Sequence, residues 1–237
     1  IKHFLEFIMI NLYYWPTPNA RKVSILFEEL KLKYNLIKVD INKGEQFFEK
    51  FLKISPNNKI PAIEFEENGK KITLFESGVI LLFFAEKYNK FYSNGKLKRF
   101  EIIQWLTWQM AGFGPMLGQA HHFNFYAKEK INYAQERYSS EANRLYGVLD
   151  NKLKDQEWIT GEYSIADIAV YPWTMTPDRQ GVELSHFDNV IRWKEQMKKR
   201  SAVAKGMSVG QEMRKNNQVL TDDEYSNLFG KNQYKKR

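Results

Sequence analysis

Asn68-Gly69 lies between two short apolar runs, Ile60-Pro61-Ala62-Ile63-Glu64-Phe65 and Ile72 to Leu74. Asn-Gly at that spacing is a tight hairpin turn, because both of its residues accept a positive φ at little cost. The two runs are therefore antiparallel neighbours. Upstream the pattern differs: Ile10 to Tyr14 reads as a short strand, Trp15-Pro16-Thr17-Pro18 breaks it, and Val23, Leu26, Phe27 and Leu30 recur at helical spacing. Ile37, Val39 and Ile41 then alternate with Lys38 and Asp40, the period of a second strand. A less regular stretch with Phe47, Phe48, Phe51 and Leu52 is suited to cover the sheet, and Glu76-Ser77-Gly78 opens an apolar helix through Tyr88.

A βαβ unit followed by a ββα unit is the thioredoxin-like arrangement. Pro61 fits it, because a proline opening a strand is out of place unless its preceding bond is cis, and a cis proline there is a signature of this fold. Around Asn89 to Lys98 the chain turns polar, with Ser93-Asn94-Gly95, and everything beyond reads as helices. The clearest helix start is Ser164-Ile165-Ala166-Asp167, a capping box with Tyr163 and Ile168 at staple positions. The expected organisation is an α/β thioredoxin-like domain over residues 9–90 and an all-α domain over 99–210. Residues 1–8 read as an N-terminal extension, not a secretory leader, since Glu6 interrupts their apolar side chains and no small-residue cleavage site follows. Residues 211–237 read as a basic, flexible tail.

Composition narrows the classes of function. The formal net charge of +8 is concentrated late in the chain, with 12 Lys or Arg against 5 Asp or Glu from Val190 onward. That distribution describes a solvated basic terminus on a nearly neutral body, so no nucleic-acid partner is expected. The longest uninterrupted apolar stretch, Val79 to Ala85, is far short of the roughly 20 residues that cross a bilayer, so no membrane partner is expected either. There is no cysteine, which removes disulfides and protein thiols and fits a reducing, cytoplasmic compartment.

A thioredoxin-like domain without cysteine must borrow a thiol to do redox chemistry, and glutathione is the obvious source. Its sulfur would lie at the N-terminus of the first helix, where backbone N–H groups and the helix dipole favour an anion. Thr17-Pro18-Asn19 stands there. Thr before Pro also makes an ordinary N-cap and first helical position, so Thr17 has a folding explanation beside the functional one. In the functional reading, the Thr17 hydroxyl, the Asn19 side chain and nearby amides donate to a thiolate. Lowering a thiol pKa from about 8.5 to about 6.5 would raise its thiolate fraction at pH 7 from roughly 3% to roughly 75%. Those two units are about 2.7 kcal/mol, within reach of two or three charge-assisted bonds. Tyr13 and Tyr14 are weaker candidates for the same donor, because at least one must pack inside the first strand.

Ser77, with its hydroxyl and amide, suits the carboxylate of a γ-glutamyl group, and Glu76 suits its ammonium, although both also fit a plain helix start. Ile60 would offer its backbone to the cysteinyl part of an extended peptide. The four histidines include the adjacent pair His121-His122, which has no marked co-ligands; no metal site is expected.

Pro16-Thr17-Pro18-Asn19, Ser55-Pro56-Asn57-Asn58-Lys59-Ile60-Pro61-Ala62-Ile63 and Leu74-Phe75-Glu76-Ser77-Gly78 resemble the bacterial nu-class glutathione transferases, also described as glutathione-dependent disulfide-bond oxidoreductases. The likeness continues through Gln104-Trp105-Leu106, Gly114-Pro115-Met116-Leu117-Gly118-Gln119, Glu136-Arg137-Tyr138, Arg144-Leu145-Tyr146 and Tyr163-Ser164-Ile165-Ala166-Asp167-Ile168-Ala169. It covers about Met9 to Ala204. The resemblance implies the glutathione transferase architecture and a homodimer whose sites each hold two glutathiones or one glutathione disulfide. Thr17 and Asn19 match residues near the sulfurs, Gln46, Ile60, Glu76 and Ser77 match peptide-binding positions, and Arg137 matches an arginine reaching in from the other subunit. The implied reaction is reduction of a small disulfide by two glutathiones, with organic hydroperoxides as further substrates in some members. The chain departs from the family pattern in two places. Ala20 stands where Gly is usual, and Thr174 to Arg179 differs, with Pro177 expected to end or kink a helix.

Two other functions are alternatives, the first of which needs the same Thr17 and Asn19. A conjugating transferase would direct the thiolate at an electrophile. A non-enzymatic regulator, as in the related fungal nitrogen-regulator proteins, would carry an Asn/Gln-rich extension that these residues do not contain.

Overall fold

The computed structural model describes residues 9–213 and 219–235; the expected extension over residues 1–8 lies outside the described residues. β1 (Ile10–Tyr14) leads through α1 (Pro18–Glu29) to β2 (Tyr34–Lys38), which pairs with it in parallel. After the short α2 (Glu49–Leu52), β3 (Ala62–Glu67) and β4 (Lys70–Phe75) add an antiparallel hairpin, giving a mixed sheet in the order β2-β1-β3-β4. Asn68 at φ 52° and Gly69 at φ 69° make the hairpin turn, both in the left-handed region that an Asn-Gly turn demands. The Ile60–Pro61 bond is cis.

β2 corrects one expectation. It ends at Lys38, three residues before the Ile41 that the alternation reached. The Asp40 side chain accepts the Asn42 N–H at 3.2 Å and opens a 3₁₀ turn over Ile41–Lys43, so a local side-chain bond replaces the ladder.

The sheet is covered on both faces. Ile10, Leu12 and Tyr14 of β1 are buried towards α1 and α3 (Ser77–Tyr88), where the Phe84 ring meets Phe27 at 5.0 Å and Phe65 at 6.1 Å. On the other face Phe51 of α2 packs with Val39, Ile54 and Ala62, and Tyr13 lies against it at 5.8 Å.

The second domain begins with α4 (Lys96–Trp108), which runs through a π-helical turn, Gln109–Phe113, into α5 (Gly114–His121). A second such turn, His122–Tyr126, precedes α6 (Asn132–Leu153), and α7 (Ile165–Val170), α8 (Asp188–Lys199) and α9 (Ser201–Ser208) complete the bundle. The expected capping box is present at α7: Ser164 Oγ accepts the Ala166 N–H at 3.2 Å, and Asp167 Oδ2 accepts the Ser164 N–H at 3.0 Å. Asp167 Oδ1 also receives the Ile159 N–H and the Trp193 indole N–H, at 3.0 and 2.9 Å. Burial pushes this carboxyl up to about 6, against donors that favour its anion.

The domains share one core, and α9 seats closely on α1. Ser24 Oγ donates to the Gly206 carbonyl at 2.7 Å, and a Cβ on Gly206 would stand 2.5 Å from Ile25 Cα. Only glycine permits that approach.

The flexible tail expected over 211–237 is corrected for residues 219–235. Thr221 and Glu224 form a reciprocal capping box at 3.2 and 2.8 Å and start α10 (Asp222–Leu228), whose acidic first turn suits the helix dipole. Asn227 is the anchor: its Nδ2 donates to the Asn42 carbonyl at 2.8 Å, while its own carbonyl accepts from Gln46 Nε2 at 3.2 Å. The segment is a strap reaching from the first domain to the second, where Phe229 lies against His122 and Tyr126 at 4.7 and 4.9 Å.

Candidate functional site

A cleft of about 810 Å³ opens between the two domains. The first domain contributes the start of α1, with Asn19 and Lys22, the lead into β3 with Ile60 and Pro61, and the start of α3 with Glu76 and Ser77. Gln109 and Met110 of the π-helical turn, Gly114 and Gly118 of α5, and Trp173 line the facing wall. The strap closes a third side with Leu228, Phe229, Gln233 and Tyr234.

Four residues singled out from the sequence thus meet in one wall: Asn19, Ile60, Glu76 and Ser77. Glu76 holds φ 68°, a left-handed conformation costly for a non-glycine residue and concentrated at ligand sites. Asn19 is the second helical residue of α1. Pro18 has no N–H to give and the Ala20 N–H is taken by Thr17 Oγ1 at 3.4 Å, so Asn19 carries the outward-facing backbone donor of the first turn. Its side-chain Oδ1 accepts the Trp173 indole N–H at 2.9 Å. Because the oxygen is occupied by an obligate donor, the amide orientation is determined and its NH₂ is left to donate.

Thr17 is the N-cap of α1 and stands outside the cleft wall. Accepting from Ala20 still leaves its O–H proton to donate. Tyr14 donates to the Val209 carbonyl at 3.1 Å and Tyr13 packs on Phe51. Burial raises both phenols, and neither lines the cleft. Gln46 is buried, tied to Asn227, and outside the wall. Arg137 is exposed on α6, away from the cleft of its own chain. Ala20 points into the core, so its methyl group does not narrow the site. Pro177 precedes a 3₁₀ turn, Asp178–Gln180, and the helical turn Tyr171–Thr174 ends before it, as a proline there requires.

Two features were not anticipated. Trp173 orients Asn19 from 154 positions away in the chain; a signal for it existed in Gly114 and Gly118, one helical turn apart, since a Cβ on either would come within 3.3 Å of the Trp173 ring. Lys22 is only 1% exposed, and burial lowers its amine to about 7, partly opposed by the field of Glu76. Burial also holds His122 below its ordinary value. Among the described residues no three His, Asp or Glu side chains come together as a metal site, and no helix is long and apolar enough to cross a membrane.

Two family models match: glutathione S-transferase, N-terminal domain, over residues 12–92, and glutathione S-transferase, C-terminal domain, over residues 110–201. The chain is 49% identical over 203 residues to the disulfide-bond oxidoreductase YfcG of Escherichia coli (strain K12), covering 84% of this chain and 94% of that protein. It is 38% identical over 215 residues to the disulfide-bond oxidoreductase YghU of the same organism, covering 84% and 74%. Among solved structures it resembles a glutathione transferase from Pseudomonas putida with one glutathione disulfide bound per subunit, at TM-score 0.81 and 40% identity, over 85% of this chain and 91% of that one. A glutathione transferase from Burkholderia graminis with two glutathione molecules bound per subunit gives TM-score 0.80 and 38% identity, over 85% and 88%.

Proposed function

This chain belongs to the glutathione S-transferase family, and from that premise we propose that it is a glutathione-dependent disulfide-bond reductase. The observation that carries the reading is Asn19: at the N-terminus of α1, in a protein without cysteine, its amide is held by Trp173 with the donor end free for a sulfur anion. In this reading Asn19 and the hydroxyl of Thr17 hold the sulfurs, the Ile60 backbone pairs with the cysteinyl unit, and Glu76 and Ser77 take the γ-glutamyl end. A cleft of about 810 Å³ is at the upper end of small-molecule sites, which suits two tripeptides or their disulfide.

One glutathione thiolate attacks a sulfur of the substrate disulfide, forming a mixed disulfide and expelling a thiolate that takes up a proton. The second glutathione attacks the mixed disulfide, and the products are glutathione disulfide and two thiols. Two electrons pass from the glutathione pair to the substrate; neither a metal nor a protein thiol is needed. Organic hydroperoxides are further oxidants of the same class.

The chain is further proposed to be a nu-class homodimer acting in cytoplasmic redox homeostasis and detoxification, with a glutathione-binding domain over residues 9–90 and a helical domain over 99–210. Exposed Phe75, Val79 and Phe100 give a second copy apolar surface to cover. Arg137, exposed on α6, is then free to serve the partner's cleft, and Gln46 reaches glutathione only if the Asn227 contact yields.

The test is a side-by-side assay with glutathione and either 2-hydroxyethyl disulfide or 1-chloro-2,4-dinitrobenzene. Disulfide reduction is expected to be much the faster. Faster conjugation would make the chain a conventional transferase, and glutathione binding without either activity would make it a regulator.

A further inference from the structure

Lys22 follows Asn19 by three residues on α1, so the two side chains leave the same face of the helix, and both line the cleft. Its Nζ donates to Gln109 Oε1 at 2.5 Å and to Met110 Sδ at 3.3 Å. Both acceptors are neutral. Among the described residues Glu76 is the acid whose field reaches it, and no carboxylate forms an ion pair with it. A buried ammonium without a counterion is costly. Gln109 is unfinished in the same sense: its Oε1 serves Lys22, while its buried Nε2 has no hydrogen-bond partner. Gly114 makes room for that amide, since a Cβ there would stand 2.6 Å from Nε2. An amine and an amide donor are thus held in the cleft wall, on the Asn19 face of α1 and joined through Met110 Sδ to Ser77 Oγ at 3.6 Å, and among the described residues no carboxylate pairs with them.

The other titratable groups of the wall are Lys59, Glu76, His122 and Tyr234. Arg21 neighbours Lys22 on α1, and the cations Arg200, just before α9, and Lys205 of α9 pair with Glu29 and Glu28 at the opposite end of α1.

We propose that Lys22 is the countercharge of the bound glutathione sulfur: as the thiol ionises, its proton passes to the Lys22 amine and not to solvent. This rests on the glutathione-binding reading above. The S–H bond breaks, an N–H bond forms, and no electrons are exchanged; the thiolate expelled from the substrate disulfide later recovers the proton. The coupling is reciprocal, because an ammonium that favours the thiolate is itself favoured by it. The unliganded amine, lowered to about 7, is mostly neutral at pH 8 and so can accept.

Titration calorimetry at pH 8 in two buffers of different ionisation enthalpy counts the protons released on binding, and absorbance at 240 nm reads the thiolate. The wild type is expected to form thiolate while releasing fewer than about 0.3 protons per glutathione. Lys22→Arg, charged before binding, should form thiolate and release about 0.7. Lys22→Met should lose at least two thirds of the thiolate signal, while binding of S-methylglutathione, which has no thiol to ionise, shows that the variant is folded. Release of about 0.7 protons by the wild type overturns the proposal without any variant. An undiminished thiolate signal in Lys22→Met overturns it too, as does a proton count that responds to Lys59→Met and not to Lys22→Arg. Failure of the wild type to bind either ligand removes the glutathione reading itself, and this inference with it.

Discussion

The bond from the Trp173 indole to Asn19 Oδ1 can be tested by a double-mutant cycle on disulfide reductase activity. If Asn19 donates to the thiolate as proposed, Asn19→Ala removes a charge-assisted bond worth about 1.5–3 kcal/mol, or roughly 12- to 150-fold in kcat/KM. Trp173→Phe keeps an aromatic ring against Gly114 and Gly118 but removes the N–H. The lost bond is neutral and, at 2.9 Å, well formed, so about 0.5–1.5 kcal/mol is at stake, or roughly 2- to 12-fold. If Trp173 contributes by aligning Asn19, its substitution costs almost nothing once Asn19 is gone. The double variant should then lie within about twofold of Asn19→Ala, a coupling of about 1 kcal/mol. The assay is initial-rate reduction of 2-hydroxyethyl disulfide, with thermal melts checking that each variant is folded. Multiplicative losses would refute the reasoning, because Trp173 would then serve the site independently of Asn19.

Asp167→Asn should lower the melting temperature at pH 7 by roughly 5–10 °C, since an amide NH₂ would face the Ser164 N–H and about 2–3 kcal/mol of paired donors would be lost; an unchanged melt refutes a structural role for the carboxylate. Removing residues 219–237 takes away one wall of the cleft without touching Asn19 or Lys22. It is expected to raise kcat/KM for a bulky glutathionylated peptide several-fold relative to 2-hydroxyethyl disulfide, and an unchanged ratio would show that the strap does not restrict access.

Features governed by neighbours in the chain were legible in the sequence. The Asn68-Gly69 turn, the Thr17-Pro18 start of α1 and the Ser164–Asp167 box each use side chains within three or four residues, and periodicity located the elements between them. β2 was misplaced because Ile37, Val39 and Ile41 keep their alternation after Asp40 has turned the backbone. Asn19, Ile60, Glu76 and Ser77 could be picked from the sequence as neighbours in the cleft wall because each stands at an element end, where backbone donors and acceptors are unspent. Trp173 and the neutral cage around Lys22 could not, because the partners lie more than 80 positions apart and nothing local marks them. In the strap, Thr221-Asp222-Asp223-Glu224 was a readable helix start, but it was submerged in a tail classified by its net charge.

The strap also bears on how such a protein diversifies. It lies beyond residue 201, where the matched family domain ends, and its bonds to the first domain include two to backbone carbonyls, of Asn42 and Asn227, beside the Lys59 to Gln233 side-chain bond. Main-chain acceptors tolerate sequence change around them. A change in these residues would therefore reshape one side of the cleft while leaving the opposite wall, with Asn19 and Lys22, as it is.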